Sequence, residues 1–358
     1  MIDKELQKYV GTEEITVVEA MQKIDINTEG ILFIADGEER LVGSLTDGDI
    51  RRWLIRTGKL DGRASQMMCK DPKFLLEDEA YRSFDFMREN QITSVPVLSS
   101  DKRIMNIVFD SYKKKSKTAH GRSLQNTAVI VMASGKGTRL YPYTKILPKP
   151  LIPIGDVPIL ERILDRFNRY GAEDFYLTVN YRKEMIKSYF KELDPRYTIH
   201  YVEEEQPLGT AGSIRLIEEA FEAPVIITNC DTLIDADYGE ILKFHKEAGN
   251  ALTIVSALKN ITIPYGVLHA QKHGEVISIE EKPRLSYFVN TGMYVIDPEC
   301  ITTIPDHTFY HMTHLTDQLM ADGLKVGMYP VSENAFLDMG EFEEMKKMEE
   351  RINSGSIR

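Results

Sequence analysis

Two aspartates and a group of cations carry the chemistry this sequence could perform. Asp231 closes the apolar run "VIITNC", and Asp338 stands in "AFLDMGEFEEM" at a similar strand-to-turn position. A carboxylate after a buried run can hold a divalent cation, and Mg²⁺ is usually bound by one or two carboxylates plus substrate oxygens. Arg139, Lys145 and Lys149 lie in "VIVMASGKGTRLYPYTKILPKPLIPIG" (Val129 to Gly155), where Pro148 and Pro150 stiffen the chain around Lys149. Just before these cations, Gly135 and Gly137 follow an apolar run, so backbone N–H groups can approach a polyphosphate without Cβ interference. Two familiar phosphate loops fail on spacing. A P-loop needs wider glycines, and Leu140 occupies the third glycine position of a dinucleotide fingerprint. What remains is a site for an anionic ligand held by backbone and cations. Each aspartate also has an ordinary reading, Asp231 as a turn cap and Asp338 as a cap for the closing helix.

The elements that would position these residues alternate from Thr127 onward. Ala128 to Met132 reads as a buried strand. "VPILERILDRFNRYG" places Ile159, Leu160, Ile163, Leu164 and Phe167 on one helical face, with Gly171 as the stop. "DFYLTVN" reads as a strand, "RKEMIKSYFKEL" as a helix with Met185, Ile186, Tyr189 and Phe190 inward, and "YTIHYVEE" as a strand. "GSIRLIEEAF" (helix), "APVIITNCD" (strand), "YGEILKFHKEAG" (helix) and "ALTIVSAL" (strand) continue the alternation. The pattern predicts an α/β domain, 127–358, with a mostly parallel, Rossmann-like sheet and helices on both faces. Ligands of such sheets sit beyond the carboxyl ends of the strands. The Gly135 turn and Asp231 should therefore open on one crevice.

The front of the chain repeats. "ILFIADGEERLVGSLTDGD" (Ile31 to Asp49) aligns without gaps on "SVPVLSSDKRIMNIVFDSY" (Ser94 to Tyr112), and upstream Met21 and Ile24 match Phe84 and Met87 at helical spacing. Each copy reads helix–strand–turn–strand–helix, and each would bury one face against the other. The pair, 1–115, resembles tandem cystathionine-β-synthase (CBS) domains. That resemblance implies a regulatory or dimerising module, with an adenine nucleotide or an end product as possible ligand and a homo-oligomer as the expected assembly. Thr46 and Asp49 match the family's ribose-binding pattern, whereas Phe109 and Tyr112 depart from it in the second copy. At most one nucleotide site is implied, and Thr46 and Asp49 equally suit a helix N-cap. "SYKKKSKTAHGRSLQN" lacks hydrophobic period and reads as a linker, bounded at 116–126, with the Lys113–Lys115 run solvated.

The body resembles a second family, over Thr127 to about Met348. "MASGKGTRLYPYTKILPKPLIPIG" is similar to the signature of the sugar-1-phosphate nucleotidyltransferases, with Ser134 in place of a usual glycine. "PLGTAG", "NCD", "PYGV", "EKP", "VNTGMYV" and "LDMGEF" follow in the family's order. The resemblance implies that an NTP and a sugar 1-phosphate give an NDP-sugar and pyrophosphate with Mg²⁺. It implies Arg139, Lys149 and Asp231 as catalytic residues and Asp231 with Asp338 as metal ligands. Ala133, Ser134, Gly135, Gly137, Thr138, Gly209 and Thr210 would bind the nucleotide. Gly266, Glu281, Lys282, Asn290 and Thr291 would bind the sugar phosphate. The form Pro-Leu-Gly-Thr-Ala-Gly resembles guanylyltransferases, and CBS-fused members resemble those supplying nonulosonic-acid surface sugars, so GTP is the expected nucleotide. Uridylyl, thymidylyl or cytidylyl transfer, and a catalytically idle nucleotide sensor, stay open beside it. The chain's end at Arg358 makes a fused acyltransferase domain unexpected.

Bulk properties agree with a cytoplasmic enzyme. The 358 residues are 42% hydrophobic and 28% charged, with a net charge of −11, which argues against nucleic acid or an anionic membrane as the main partner. Cys69, Cys230 and Cys300 have no metal spacing and read as reduced thiols. No signal peptide or membrane-spanning run is evident. His311 and His314 read as helix-start residues, and Met345 and Met348 as packing on a final helix.

Overall fold

Val129–Met132 (β1) forms a strand in which every residue is buried. Val129 and Val131 join one core cluster while Ile130 and Met132 join another, so the strand is covered on both faces. It lies in the middle of a seven-stranded sheet with Asp174–Val179 (β2), Thr198–Glu203 (β3), Val225–Asn229 (β4), Leu252–Thr262 (β5), Arg284–Ile296 (β6) and Val326–Val331 (β7). The order is β3-β2-β1-β4-β6-β5-β7. The first four are parallel, β6 runs antiparallel to both neighbours, and β5 pairs with β7 in parallel. Thr178, Met132 and Asn229 stand side by side across β2, β1 and β4. The segments after these strands therefore leave one edge together.

This computed structural model describes residues 3–110 and 121–354, and the chain divides into two compact units, Met1–Ala119 and His120–Arg358. In the second unit, helix Ile159–Arg169 buries the five apolar residues expected of it. Helix Lys183–Leu193 buries Ile186 and Phe190, with Met185 and Tyr189 packed beside them. "GSIRLIEEAF" is not one helix: a helical turn Gly209–Gly212 and a 3₁₀ turn Ser213–Leu216 end before the glutamates. Of the expected linker, the described part 121–126 is exposed except at Leu124, which is fully buried in the core and donates its N–H to Tyr170 O at 2.9 Å. Gly171 makes room for this segment, because a Cβ there would lie 2.9 Å from Arg122 Cα. Tyr112, the Lys113–Lys115 run and 116–120 lie outside the described residues.

The first unit holds two copies of one topology. Strand Val10–Thr12 pairs in parallel with Ile31–Ala35, which pairs antiparallel with Leu41–Thr46. Leu75–Leu76, Ser94–Leu98 and Ile104–Phe109 repeat that arrangement. The register shifts between Ile34 and Ala35 in one copy and between Val97 and Leu98 in the other, the same position of the repeat. Met21, Ile24 and Met87 are buried, but Phe84 is 54% exposed, so helical spacing alone did not assign its side.

Candidate active site

The turn after β1 begins where Ala133 donates its N–H to Thr178 O at 3.0 Å. Ser134 is half-buried, and Gly135, Thr138 and Arg139 are exposed. Gly137 takes φ +64°, and a Cβ there would stand 2.9 Å from both Lys149 Cβ and Thr144 Cγ2. Thr144 Oγ1 in turn donates to Gly137 O at 2.9 Å. The absent side chain thus lets the turn rest on the stem of Lys149.

Lys149 Nζ forms an ion pair with Asp231 Oδ2, both side chains being 12% exposed. Sequence separation hid this contact, since the partners are 82 residues apart. Asp338 reaches the same place by another route. Strands Thr232–Ile234 and Phe336–Asp338 pair antiparallel with Thr232 opposite Asp338, and Met339 N–H donates to Asp231 O at 2.9 Å. A Cβ on Gly340 would meet Asp338 Oδ2 at 3.0 Å and Arg139 Nη1 at 3.3 Å, which places the Arg139 guanidinium beside this carboxylate. Arg139, Lys149, Asp231 and Asp338 are therefore brought together. Burial, and then the charge of Asp231, raise the Asp338 pKa above the ordinary carboxylate value, against the opposing charges of Lys149 and Arg139. Two facing carboxylates with only one ion-paired suit a bound cation. No cluster of three or more metal-ligating side chains occurs among the described residues, so such a cation would complete its shell with water or substrate oxygens.

The second turn is built by docking. Gly209 has φ +81°, and a Cβ there would lie 2.6 Å from Tyr310 O. Ala211 and Gly212 donate to that carbonyl at 2.9 and 3.1 Å, and Thr210 Oγ1 accepts from Met312 N–H at 3.0 Å. His311 caps helix Met312–Ala321 and His314 Nδ1 accepts its N–H at 3.3 Å, the expected helix-start arrangement.

A cavity of about 200 Å³ joins these parts, lined by Thr210, Asn229, Asn290, Thr291, Tyr294 and Asp338 among others. Asn290 Nδ2 donates to Tyr294 OH at 2.6 Å, and Asn290 Oδ1 accepts from Gly292 N–H at 2.9 Å. Thr291 lines the same cavity. Its hydroxyl donates to Val255 O at 2.7 Å and accepts from Met293 N–H at 3.3 Å, and the residue is 2% exposed. That hydroxyl fastens the β5–β6 irregularity that presents Asn290. Gly266 and Glu281 face one another in hairpin 266–281, and Lys282 follows at φ +48°. All three are exposed, and none lines the cavity. Asn229 and Tyr294 also line the cavity, and the sequence signals them only through the motifs "NCD" and "VNTGMYV". In the first unit, Thr46 and Asp49 form a capping box: Thr46 Oγ1 donates to Asp49 Oδ2 at 2.6 Å and accepts from Asp49 N–H at 3.2 Å. Arg52 engages the other carboxylate oxygen at 2.5 Å.

Residues 128–355 match the family model described as nucleotidyl transferase. The chain belongs to that family. Among relatives, mannose-1-phosphate guanyltransferase of Debaryomyces hansenii is 34% identical over 184 residues, covering 49% of this chain and 51% of its own. UTP–glucose-1-phosphate uridylyltransferase of Synechocystis sp. is 30% identical over 203 residues, with 51% and 52% covered. The chain thus spans about half the length of the curated relatives it matches. Among solved structures, HddC from Yersinia pseudotuberculosis is 25% identical with a TM-score of 0.49, covering 63% of this chain and 99% of its own. No helix among the described residues is long and apolar enough to cross a membrane.

Proposed function

We propose that this nucleotidyl transferase moves a nucleoside monophosphate from an NTP, GTP by preference, to a sugar 1-phosphate, releasing pyrophosphate, in the supply of surface-glycan or nonulosonic-acid precursors. The observation that carries the reading is the convergence of Lys149, Asp231, Asp338 and Arg139 at the mouth of two glycine turns. The similarity to a mannose-1-phosphate guanyltransferase and a UTP–glucose-1-phosphate uridylyltransferase supports the reaction type. A phosphate oxygen of the sugar 1-phosphate attacks the α-phosphorus, the new P–O bond forms, and the bond to the β-phosphate bridging oxygen breaks. The nucleophile is already an anion, so no general base is required. The barrier is the approach of two polyanions, and charge and positioning lower it.

Arg139 would meet the departing pyrophosphate with a forked contact. Lys149 would stabilise charge on the α-phosphate and the incoming phosphate, with Asp231 holding its ammonium in place. Asp231 and Asp338 would hold Mg²⁺, which supplies neutralisation and alignment of phosphates when bound. The turns at Ala133, Ser134, Gly135, Gly137, Thr138 and at Gly209–Thr210 would seat the nucleotide. Asn290, with Glu281, Gly266 and Lys282 from the hairpin, would take the sugar phosphate. The first unit, by its doubled topology and matching register shifts, reads as a tandem CBS pair with one adenylate or end-product site at Thr46 and Asp49, regulating or dimerising the enzyme. Pyrophosphate release should be measured across GTP, ATP, UTP, CTP and dTTP with a panel of hexose, hexosamine and heptose 1-phosphates, with Asp231→Ala as control. Turnover with one NTP, lost in the variant, is the expected result; silence across the panel together with no NTP binding would overturn the reading.

A further inference from the structure

Arg182 stands at a backbone position that suits other residues better. It precedes helix Lys183–Leu193 as its N-cap, in the left-handed region at φ +52° and ψ +35°, and its side chain makes no cap hydrogen bond. Glycine or asparagine would hold this conformation with less strain, so the use of the arginine lies elsewhere. Its side chain reaches the turn Tyr143–Lys145. Nη2 donates to Lys145 O at 2.7 Å, and Nε donates to Tyr181 OH at 3.0 Å. The guanidinium also lies 5.4 Å from the centre of the Tyr181 ring. Tyr181 OH donates in turn to Thr144 O at 3.0 Å. Two consecutive side chains thus hold two consecutive carbonyls, each 37 residues back along the chain.

The held turn leads directly to the active site. Thr144 is fully buried, and its hydroxyl donates to Gly137 O at 2.9 Å. Gly137 O also accepts from Leu140 N–H at 3.0 Å, which closes the 3₁₀ turn Thr138–Leu140 that carries Arg139. Leu140 is fully buried and Arg139 is exposed, so this turn has a fixed side and an open one. On the other flank the Tyr143 ring packs against Phe342 at 5.7 Å, four residues beyond Asp338. The 143–145 turn is therefore wedged between the segment after β2 and the segment bearing Asp338.

We propose that Tyr181 and Arg182 are positioning residues that set where Arg139 stands, and so how it meets the β- and γ-phosphates of the NTP. This rests on the reading of Arg139 as the partner of the departing pyrophosphate. A guanidinium engages two phosphate oxygens only when its fork is aimed at them. The Arg139 side chain makes no hydrogen bond among the described residues, so the backbone beneath it sets that aim. Freeing the two carbonyls lets the Thr138–Leu140 turn shift. The misplacement weakens the hold on the triphosphate tail and leaves base and ribose contacts in place.

The test is calorimetric titration of the full chain with GTP and GMP in Mg²⁺, repeated with UTP and UMP. The quantity read is the ratio of triphosphate to monophosphate affinity. Arg139→Ala should lower that ratio by about 10-fold or more, and Arg182→Ala by about 3- to 10-fold with monophosphate affinity kept. Tyr181→Phe, which loses one hydrogen bond, should lower it by about 2- to 5-fold. Arg182→Lys keeps a cationic donor for Lys145 O and should recover part of the loss. In Arg139→Ala/Arg182→Ala the second substitution should cost nothing further, because both act through one contact. An equal loss on triphosphate and monophosphate, full additivity with Arg139→Ala, or a wild-type ratio in Arg182→Ala would overturn the assignment. A ratio unchanged by Arg139→Ala, or a wild type that binds neither triphosphate, would overturn it together with the role given to Arg139. Binding needs no turnover. The expected ratios in a protein that never releases pyrophosphate would leave this inference standing and remove the proposed reaction.

Discussion

Replacing Lys149 by Met removes one partner of an ion pair whose side chains are each 12% exposed. Breaking a buried pair from one side costs about 3–5 kcal/mol, because the surviving charge stays desolvated; the residual exposure here lowers the expectation to about 2–4 kcal/mol. Asp338 worsens the position of the stranded Asp231, since the like charge between them already adds to burial in raising the Asp338 pKa. Asp231→Asn should cost a similar amount by stranding Lys149. The double variant Lys149→Met/Asp231→Asn leaves no unpaired charge at the pair and should cost less than the sum by about 1–3 kcal/mol. Urea unfolding of the four proteins without metal measures this cycle. The same proteins test the metal site. In Lys149→Met the two carboxylates face one another without the ammonium paired to Asp231, so Mg²⁺ alone should raise the melting temperature more than in wild type. Activity should fall by roughly 10²-fold or more in each single variant. Single variants as stable as wild type, or costs that add within about 0.5 kcal/mol, would refute the reasoning.

Other substitutions probe separate links. Gly137→Ala forces a left-handed residue to carry a Cβ 2.9 Å from Lys149 and Thr144; a stability loss of about 1–2 kcal/mol or more and a fall in kcat should appear together in unfolding and turnover assays. Gly292→Ala would put a Cβ 2.2 Å from Asn229 Nδ2, and steady-state kinetics should show a raised KM for the sugar phosphate with that for the NTP little changed. Asp338→Asn removes a like charge from Asp231; differential scanning fluorimetry should show a higher melting temperature without metal and a smaller increment on adding Mg²⁺. His245 is buried between Thr253 Oγ1 at 2.9 Å and Asp297 Oδ1 at 3.1 Å, and burial lowers its pKa below 6.5. The unfolded chain therefore takes up the proton first, so stability should be full above pH 6.5 and decline as pH falls through and below it, and His245→Gln should flatten that decline in melts between pH 7.5 and 5.

Local pattern was enough wherever one element buried one face. β1, the helix Ile159–Arg169 and the helix Lys183–Leu193 follow from their apolar spacing. The repeat at the front followed from self-similarity, and its matching register shifts show how far the two copies agree. What spacing could not supply was the partner of each side chain. Lys149 and Asp231 meet only because β4 lies beside β1 and the strand at Thr232 pairs with that at Phe336. Thr291 reads as a hydroxyl beside Asn290, yet an irregularity between Val255 and Ser256 turns it into the sheet. Leu124 sits in a polar, basic stretch, and its burial depends on a groove beside Gly171 that belongs to another segment.

The most direct test of the central claim is the reaction run backwards. Radiolabelled pyrophosphate, Mg²⁺ and a panel of NDP-sugars headed by GDP-sugars would be mixed with the wild-type chain, and label in the NTP followed by chromatography. The account predicts labelled GTP formed only when a GDP-sugar and Mg²⁺ are both present, and a loss of roughly 10²-fold or more in Asp231→Ala. Label appearing equally in the Asp231→Ala protein, or none from any NDP-sugar with a folded wild type that binds GTP, would contradict it.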